Sequence, residues 1–193
     1  MRFKKTSPLV RVIDGALPDA LVTRARRAIA RLGSERLRES YFTTFWLARA
    51  ALPANVIEEC VLALARKVRS KCAGYEWWIG RAYAHRMPIE FHFDHDVKGG
   101  SVRNPLVSTV FFFNSVRGGR LAVTDQTLSN IEADRLETVK PRRNRYAIFR
   151  GNLFHGVLAG PRGRLRITLV VNFWARRPTE VPTWSESGVY RGL

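Results

Sequence analysis

The sequence has few cysteines, no long apolar run and few acidic residues, and each shortage excludes a class of protein or site. Its two cysteines, Cys60 and Cys72, fall in one predicted helix, where twelve residues separate them by about 18 Å, too far for a disulfide. No apolar run approaches the roughly 20 residues that a membrane helix needs. The first residues contain no apolar core of a signal peptide, so we expect a cytoplasmic protein without a membrane partner.

Acidic residues are outnumbered by basic ones. The 33 lysines and arginines against 16 aspartates and glutamates give a formal net charge of +17. Such a surface attracts polyanions, above all nucleic acid, by long-range electrostatics. The basic residues are nevertheless spread over several segments, for example Lys140 to Arg145, and do not alternate with aromatic residues in one stripe. Nucleic-acid binding is therefore an open alternative that the sequence does not favour.

The order of predicted elements is helices first and strands later. After a short strand near residues 9–13, one helix opens at Asp19 and ends at Gly33, and a second follows Pro53 and ends at Gly74. From Tyr75 onward the pattern is extended. Six segments rich in aromatic and β-branched residues are predicted as strands: YEWWIGRAYA, IEFHFD, LVSTVFFFN, RLAVTD, RYAIF and RLRITLVVNFW.

This order predicts a mainly β protein with N-terminal helices, in the α+β class. Strands that follow one another without crossover helices form an antiparallel sandwich or barrel. A length of 193 residues suits a single domain, 1–193. Within it we expect a helical support region (1–74), a β core (75–174) and an irregular tail (175–193).

The stretch EFHFDHD concentrates potential metal ligands in a chain with only four histidines. Side chains alternate along an extended strand, so His92 and Asp94 point to the same side and can converge on one metal ion. His155, 63 residues downstream, is the candidate third ligand. Two imidazoles and one carboxylate leave part of the metal open, the arrangement that suits non-haem Fe(II) oxygen chemistry.

Two arginines near the start of the last predicted strand are candidates for binding an anion. A guanidinium on the polar face of that strand can hold a carboxylate through paired hydrogen bonds. Arg164, nine residues after His155, is the preferred residue. Arg166 lies on the same face and is the alternative.

From about Tyr75 to Trp174 the chain resembles the prolyl-hydroxylase-like Fe(II)/2-oxoglutarate-dependent dioxygenases. The segments that carry the resemblance are FHFDHD, NPLVSTVFFFNSVRGGRLAVTDQ, YAIFRGNLFHGV and GRLRITLVVNFW. It implies a double-stranded β-helix, the cupin-like jelly-roll, with two or more helices packed on one sheet. It also implies Fe(II), 2-oxoglutarate and O2 as cofactor and cosubstrates, and it leaves open ascorbate as a reductant.

The resemblance assigns roles to particular residues. His92, Asp94 and His155 would ligate iron, and Arg164 would anchor 2-oxoglutarate. Tyr83 occupies a place where such enzymes often carry a tyrosine near the cosubstrate.

Two departures from the family pattern concern the cosubstrate. Phe112 stands about where related hydroxylases can have a tyrosine that helps to bind the distal carboxylate, so Tyr83 or Thr168 would have to replace that hydrogen bond. Arg166 is the second departure, because it can take the role of Arg164.

The function that follows is hydroxylation of a C–H bond in a small amino-acid-like or natural-product substrate, or in a protein residue, with release of succinate and CO2. One alternative is a nucleic-acid oxidative demethylase with a role like that of the AlkB family. Another is a catalytically idle jelly-roll module that binds RNA or an acidic partner. The oligomeric state is not predicted by the sequence.

Overall fold

Antiparallel strands dominate the computed structural model of the chain, which describes residues 7–37, 39, 43–86 and 90–193. The helices are α1 (Asp19–Arg31), α2 (Val56–Ala65) and α3 (Trp184–Ser187). The strands are β1 (Val10–Asp14), β2 (Phe45–Ala48), β3 (Gly74–Tyr83), β4 (Asp96–Lys98), β5 (Ser101–Arg103), β6 (Val107–Phe112), β7 (Arg120–Thr124), β8 (Leu136–Val139), β9 (Arg145–Arg150), β10 (His155–Leu158) and β11 (Leu165–Trp174).

The strands form a large sheet, a small sheet and a hairpin. The large sheet has the order β1-β9-β6-β11-β3-β2, the small sheet has the order β10-β7-β8, and β4 pairs with β5. An apolar cluster between the two larger sheets includes Phe112 and Phe149 from one sheet and Leu121 and Val123 from the other. The predicted mainly β jelly-roll with N-terminal helices is confirmed.

Side chains of the long strand β11 alternate between the two faces of the large sheet. Leu169, Val171 and Phe173 pack in the cluster that includes the residues of α1 and α2. Because side chains alternate along a strand, Arg166 and Thr168 face the other way, into the space between the sheets. This inner face is where the polar groups of the site lie.

The helices form where the sequence supplies both a start signal and an apolar face. α1 follows Pro18 and buries Val22, Ala25 and Ile29. α2 is capped by Asn55, whose side chain accepts hydrogen bonds from the backbone N–H groups of residues 57 and 58. Both helices cover the outer face of the large sheet through the apolar cluster.

The prediction that the second helix continues to Gly74 is wrong. α2 ends at Ala65, and Gly74 is the first residue of β3. Only Val68 and Cys72 among residues 66–73 offer apolar side chains larger than alanine, so a longer helix would have little to bury. Cys72 therefore lies outside the helix, and both cysteines are buried free thiols.

The predicted strand IEFHFD is also largely absent. Ile89 lies outside the described residues, and of the others only His92 makes a ladder contact, a single bridge to His155. The sequence missed the short strands β2, β4, β5, β8 and β10. The tail carries the one-turn helix α3, whose N-terminus is capped by a capping box between Thr183 and Glu186.

No helix among the described residues is both long enough and apolar enough to cross a membrane.

Candidate active site

Three side chains with metal-binding atoms meet next to the inner face of the large sheet. His92, Asp94 and His155 each offer one ligand atom, and these atoms all lie within 4.8 Å of one another. The Nε2 atom of each imidazole is 3.5 Å from a different carboxylate oxygen of Asp94. The structure thus brings together the three residues that the sequence selected.

The other ring nitrogen of each histidine is already engaged. Nδ1 of His92 lies 2.8 Å from the carbonyl oxygen of Glu90, and Nδ1 of His155 lies 2.9 Å from that of Leu153. A carbonyl oxygen can only accept, so each Nδ1 carries the proton and donates. In the neutral form of each imidazole, Nε2 is therefore left with a free lone pair, the form that a metal ion requires.

Backbone pairing fixes the distance between the two histidines. The N–H of His92 donates to the carbonyl of His155 at 2.8 Å, and the N–H of His155 donates back at 3.0 Å. Asn104 holds the next part of the segment, since its Nδ2 donates to the backbone carbonyl of Asp94 at 2.7 Å. The segment that carries His92 and Asp94 is therefore positioned by one β-bridge and one side-chain hydrogen bond, and not by the full strand that the sequence predicted.

The carboxyl group of Asp94 is held in its ionised form. Burial alone would raise its pKa, but His155, His92 and the hydroxyl of Ser108 outweigh burial and lower the pKa to about 2. Ser108 donates to Oδ2 of Asp94 at 2.8 Å. A permanently charged carboxylate between two imidazoles is a suitable donor set for a divalent transition metal.

The two imidazoles differ in their surroundings. Burial lowers the pKa of His155, which is 7% exposed. Burial acts in the same direction on His92, but hydrogen bonding to Asp94 and to the Glu90 carbonyl overcomes it and raises the pKa of His92. His95 is exposed and lies outside the cluster, with its Nδ1 turned to the carbonyl of Phe93.

Arg166 is a buried cation on the inner face, with 4% of its surface exposed. Its Nε donates to the carbonyl of Gly119 at 3.0 Å, its Nη1 lies 3.4 Å from Oγ1 of Thr168, and its guanidinium packs 5.2 Å from the centroid of the Phe112 ring. Burial lowers its pKa to about 10. Among the described residues it has no carboxylate partner, so the cation is unbalanced and suited to an incoming anion.

Small residues leave room beside this cation. Arg166 pairs across the sheet with Ala82, and Thr168 pairs with Gly80. Directly opposite residues share a face, so neither neighbour on β3 fills the space in front of the guanidinium. These two cross-strand positions therefore place no large side chain beside Arg166.

The other predicted cosubstrate residues lie elsewhere. Arg164 precedes β11 and is exposed, in a surface depression shared with Arg117 and Arg162. Tyr83 is 42% exposed and pairs with Leu165, so its side chain shares the outer face with Leu165. Of these four residues, Arg166 and Thr168, which the sequence ranked below Arg164, are the two that lie buried on the inner face.

Three further polar residues lie on the inner face; the sequence placed Asn172 on the polar side of the last strand but did not single out Ser108 or Glu76. Ser108, Glu76 and Asn172 occupy paired positions on β6, β3 and β11. Burial raises the pKa of Glu76, which accepts a hydrogen bond from Nε1 of Trp174 at 2.9 Å. Asn172 is 1% exposed, and its Oδ1 has no hydrogen-bond partner within the part of the chain that the structure describes. The available signal was a polar residue at alternate positions in otherwise apolar strands.

No family model matches the sequence, and no curated protein matches it. Solved structures do match. A prolyl-4-hydroxylase from Pseudomonas putida superimposes with a TM-score of 0.59 at 19% identity, over 88% of this chain and 94% of that chain. The chain has the prolyl hydroxylase fold.

Two further structures extend this likeness. HygX from Streptomyces hygroscopicus, with nickel and 2-oxoglutarate bound, has a TM-score of 0.57 at 15% identity, over 91% of this chain and 85% of that one. The viral collagen prolyl hydroxylase of Paramecium Bursaria Chlorella virus-1, in complex with 2-oxoglutarate, has a TM-score of 0.56 at 15% identity, over 86% and 95% of the two chains. At these identities the comparison establishes the fold.

Proposed function

We propose that the protein is a non-haem Fe(II)- and 2-oxoglutarate-dependent dioxygenase that hydroxylates its substrate. The observation that carries this proposal is a pair of complementary sites that both border the inner face of the large sheet. A His-Asp-His cluster offers three metal ligands within 4.8 Å of one another, and a buried arginine without an acidic partner faces the same interior. One site suits a metal ion and the other suits the free end of a dicarboxylate.

The metal-binding part of the proposal assigns Nε2 of His92, Nε2 of His155 and a carboxylate oxygen of Asp94 to Fe(II). Their protonation states fit, since both Nδ1 atoms donate to carbonyls and Asp94 is ionised. Iron bound there would supply activation of O2, coupled to the decarboxylation of 2-oxoglutarate to succinate and CO2 and to hydroxylation of a C–H bond. Ser108 keeps the carboxylate of Asp94 oriented toward the two imidazoles.

The cosubstrate part of the proposal assigns the distal carboxylate of 2-oxoglutarate to Arg166 and Thr168. The guanidinium donates to the Gly119 carbonyl and packs against the Phe112 ring. Neither partner carries a negative charge, so the charge of Arg166 is uncompensated. Phe112 cannot donate a hydrogen bond, and the hydroxyl of Thr168 is placed to replace that of a tyrosine. Arg164 and Tyr83 take no part in this assignment, because their side chains lie outside the interior.

The substrate in this proposal is a small amino-acid-like or natural-product molecule, or a residue in a protein. Glu76 offers it a polar contact, since this half-buried carboxyl on the inner face interacts electrostatically with Asp94 and lies within reach of the iron site. The solved neighbours are prolyl hydroxylases and HygX, the latter also seen with hygromycin B bound, so peptides and small molecules are both suitable classes for a screen. A cytoplasmic location stays a prediction.

The decisive experiment measures succinate formation by the purified protein with Fe(II), 2-oxoglutarate and ascorbate. A library of amino acids, peptides and natural products supplies the candidate substrates. Turnover that requires both Fe(II) and 2-oxoglutarate, and that is lost in His92→Ala and Arg166→Met, supports the dioxygenase. If the folded wild-type protein binds neither Fe(II) nor 2-oxoglutarate, the idle jelly-roll module is the better description. Stimulation of turnover by methylated nucleic acid alone would instead favour the demethylase.

A further inference from the structure

A basic depression opens at the surface where three loops meet: residues 113–119 between β6 and β7, residues 140–144 between β8 and β9, and residues 159–164 between β10 and β11. It has a volume of about 750 Å³. Six of its lining side chains are basic: Arg117, Lys140, Arg142, Arg145, Arg162 and Arg164. Among the described residues, no acidic and no aromatic residue lines it.

Most of this positive charge is not neutralised by the protein. Asp14 pairs with Arg145 at 2.7 Å and with Arg142 at 3.3 Å. Within the described part of the chain, no ion pair involves any of the other four basic residues. One carboxylate therefore faces six cations, and the concave shape concentrates their field.

The loops that carry these cations are fixed before any ligand arrives. The side chain of Asn144 accepts a hydrogen bond from Leu17 N and donates one to Leu17 O, and the N–H of Arg143 donates to Oγ of Ser115. Gly118 and Gly160 lie so close together that a Cβ on Gly160 would clash with Cα of Gly118. A preformed site loses less conformational freedom when it binds.

The depression lies away from the iron site. In the small sheet His155 pairs with Val123, whereas Leu158 pairs with Arg120 at the other end of the same two strands. The loops before β7 and after β10 are therefore at the opposite end from His155. A ligand held here would not present its atoms to the metal cluster.

We propose that the basic depression binds the phosphate backbone of single-stranded nucleic acid. The lining supplies cations for phosphates and no aromatic platform for bases, so recognition follows the backbone and not the sequence. A single phosphate carries at most two negative charges and leaves most of the cations unbalanced, whereas a strand brings several. A recessed site also suits a thin strand better than the flat surface of a membrane. This proposal is independent of the proposed dioxygenase activity.

The test uses fluorescence anisotropy with a labelled single-stranded RNA of about 12 nucleotides. The variant carries Arg117→Glu, Lys140→Glu and Arg162→Glu, one exposed residue from each loop. The matched control carries Arg31→Glu, Arg66→Glu and Arg69→Glu, which change the net charge equally at exposed positions on and after α1 and α2. A second variant replaces Arg117 and Arg162 by lysine, which keeps the charge.

We expect the depression variant to bind RNA at least about tenfold more weakly than wild type, and its salt slope between about 50 and about 200 mM to fall by about 2. The control triple variant should weaken binding far less, and the lysine variant should stay close to wild type. Fe(II) binding should be unchanged in all three. Equal loss in the depression variant and the control would overturn the proposal, because net charge alone would then explain it.

Two further measurements distinguish a nucleic acid from other sources of phosphate groups. Inorganic tripolyphosphate that displaces RNA equally well per phosphate would overturn the nucleic-acid assignment in favour of a short polyphosphate. The second measurement uses vesicles that contain an anionic phospholipid. If they bind the wild type and not the depression variant, and RNA does not bind the wild type, the assignment is overturned in favour of a membrane surface.

Discussion

Arg166 and Thr168 lie side by side on the inner face of the large sheet, with Nη1 of the arginine 3.4 Å from Oγ1 of the threonine and both residues almost fully buried. A buried guanidinium without a carboxylate partner is costly for a folded chain unless a ligand supplies the missing charge. This relationship connects the fold to the proposed cosubstrate, and it gives the first prediction.

Arg166→Met should weaken binding of 2-oxoglutarate by about tenfold to about a hundredfold, because charge-assisted hydrogen bonds to the distal carboxylate are lost. Methionine fills the space of the arginine stem without a charge, so the fold should survive. An anaerobic titration of the Fe(II)-loaded protein, followed by the charge-transfer absorption of the bound keto acid, measures the affinity without a substrate. Arg164→Met is the matched control, and a larger loss there than at Arg166 would reverse the assignment.

The two arginines also show where the sequence stops being sufficient. Strand alternation correctly placed Arg166 and Thr168 on one face, but it could not tell that β11 begins at Leu165 and leaves Arg164 in the preceding turn. Spacing from His155 pointed to Arg164, which lies exposed before β11, since the length of a loop does not determine which residue enters the strand. Burial, which distinguishes the two, is a property of the folded chain.

The metal cluster was more predictable than the strand that carries it. Alternation predicts that His92 and Asp94 share a side, and this holds in a segment where only His92 makes a bridge. Ser108 could not be chosen from the sequence, because its contact with Asp94 joins residues 14 positions apart on separate segments, one in β6 and one outside any strand. The short strands β4, β5 and β8 were missed since three or four residues give too little pattern.

Single alanine substitutions of His92, Asp94 or His155 should each abolish stoichiometric Fe(II) binding. Each removes one of three donors that meet within 4.8 Å, and two remaining donors hold a metal weakly. Metal content measured after reconstitution and desalting tests this expectation. His95→Ala is the control because His95 is exposed and outside the cluster. Iron that stays bound in Asp94→Ala and leaves in His95→Ala would place the site elsewhere.

Ser108→Ala should lower metal affinity by about 10-fold to about 100-fold while the three ligands remain. The hydroxyl donates to Oδ2 of Asp94 at 2.8 Å and keeps that carboxylate oriented. Competition with a chelator of known affinity gives the change. Thr109→Ala is the matched control, because Thr109 follows Ser108 in β6 and its hydroxyl donates to the Val171 carbonyl of β11, away from Asp94. Both variants lose one buried hydrogen bond, and only Ser108→Ala should affect the metal.

Tyr190→Ala should destabilise the fold by about 3–5 kcal/mol, in the range of large aromatic truncations. The ring is 3% exposed, packs at 5.9 Å from the Phe45 ring and lies under the guanidinium of Arg81 at 5.7 Å. Chemical denaturation measures the free energy of unfolding. Trp184→Ala, in the same tail and only partly buried, should cost less. An equal or smaller cost at Tyr190 would mean that the tail is not anchored by this ring.

Glu58→Gln should stabilise the protein at neutral pH. Burial raises the pKa of Glu58 above its ordinary value, although the Ala54 N–H donates to its carboxylate at 2.7 Å. The folded chain therefore disfavours the ionised form, so the wild type loses stability as the pH rises through the unfolded-state pKa toward the folded-state pKa. Glutamine keeps an acceptor for that N–H and carries no charge.

The gain in Glu58→Gln should consequently shrink as the pH falls, and vanish where glutamate is protonated in both the folded and the unfolded chain. Thermal unfolding of both proteins across a pH series measures the difference. Glu59→Gln serves as the control, since its carboxylate pairs with Arg24 at the surface. A gain at Glu58 that stays constant with pH would show that its carboxyl charge is not the cause.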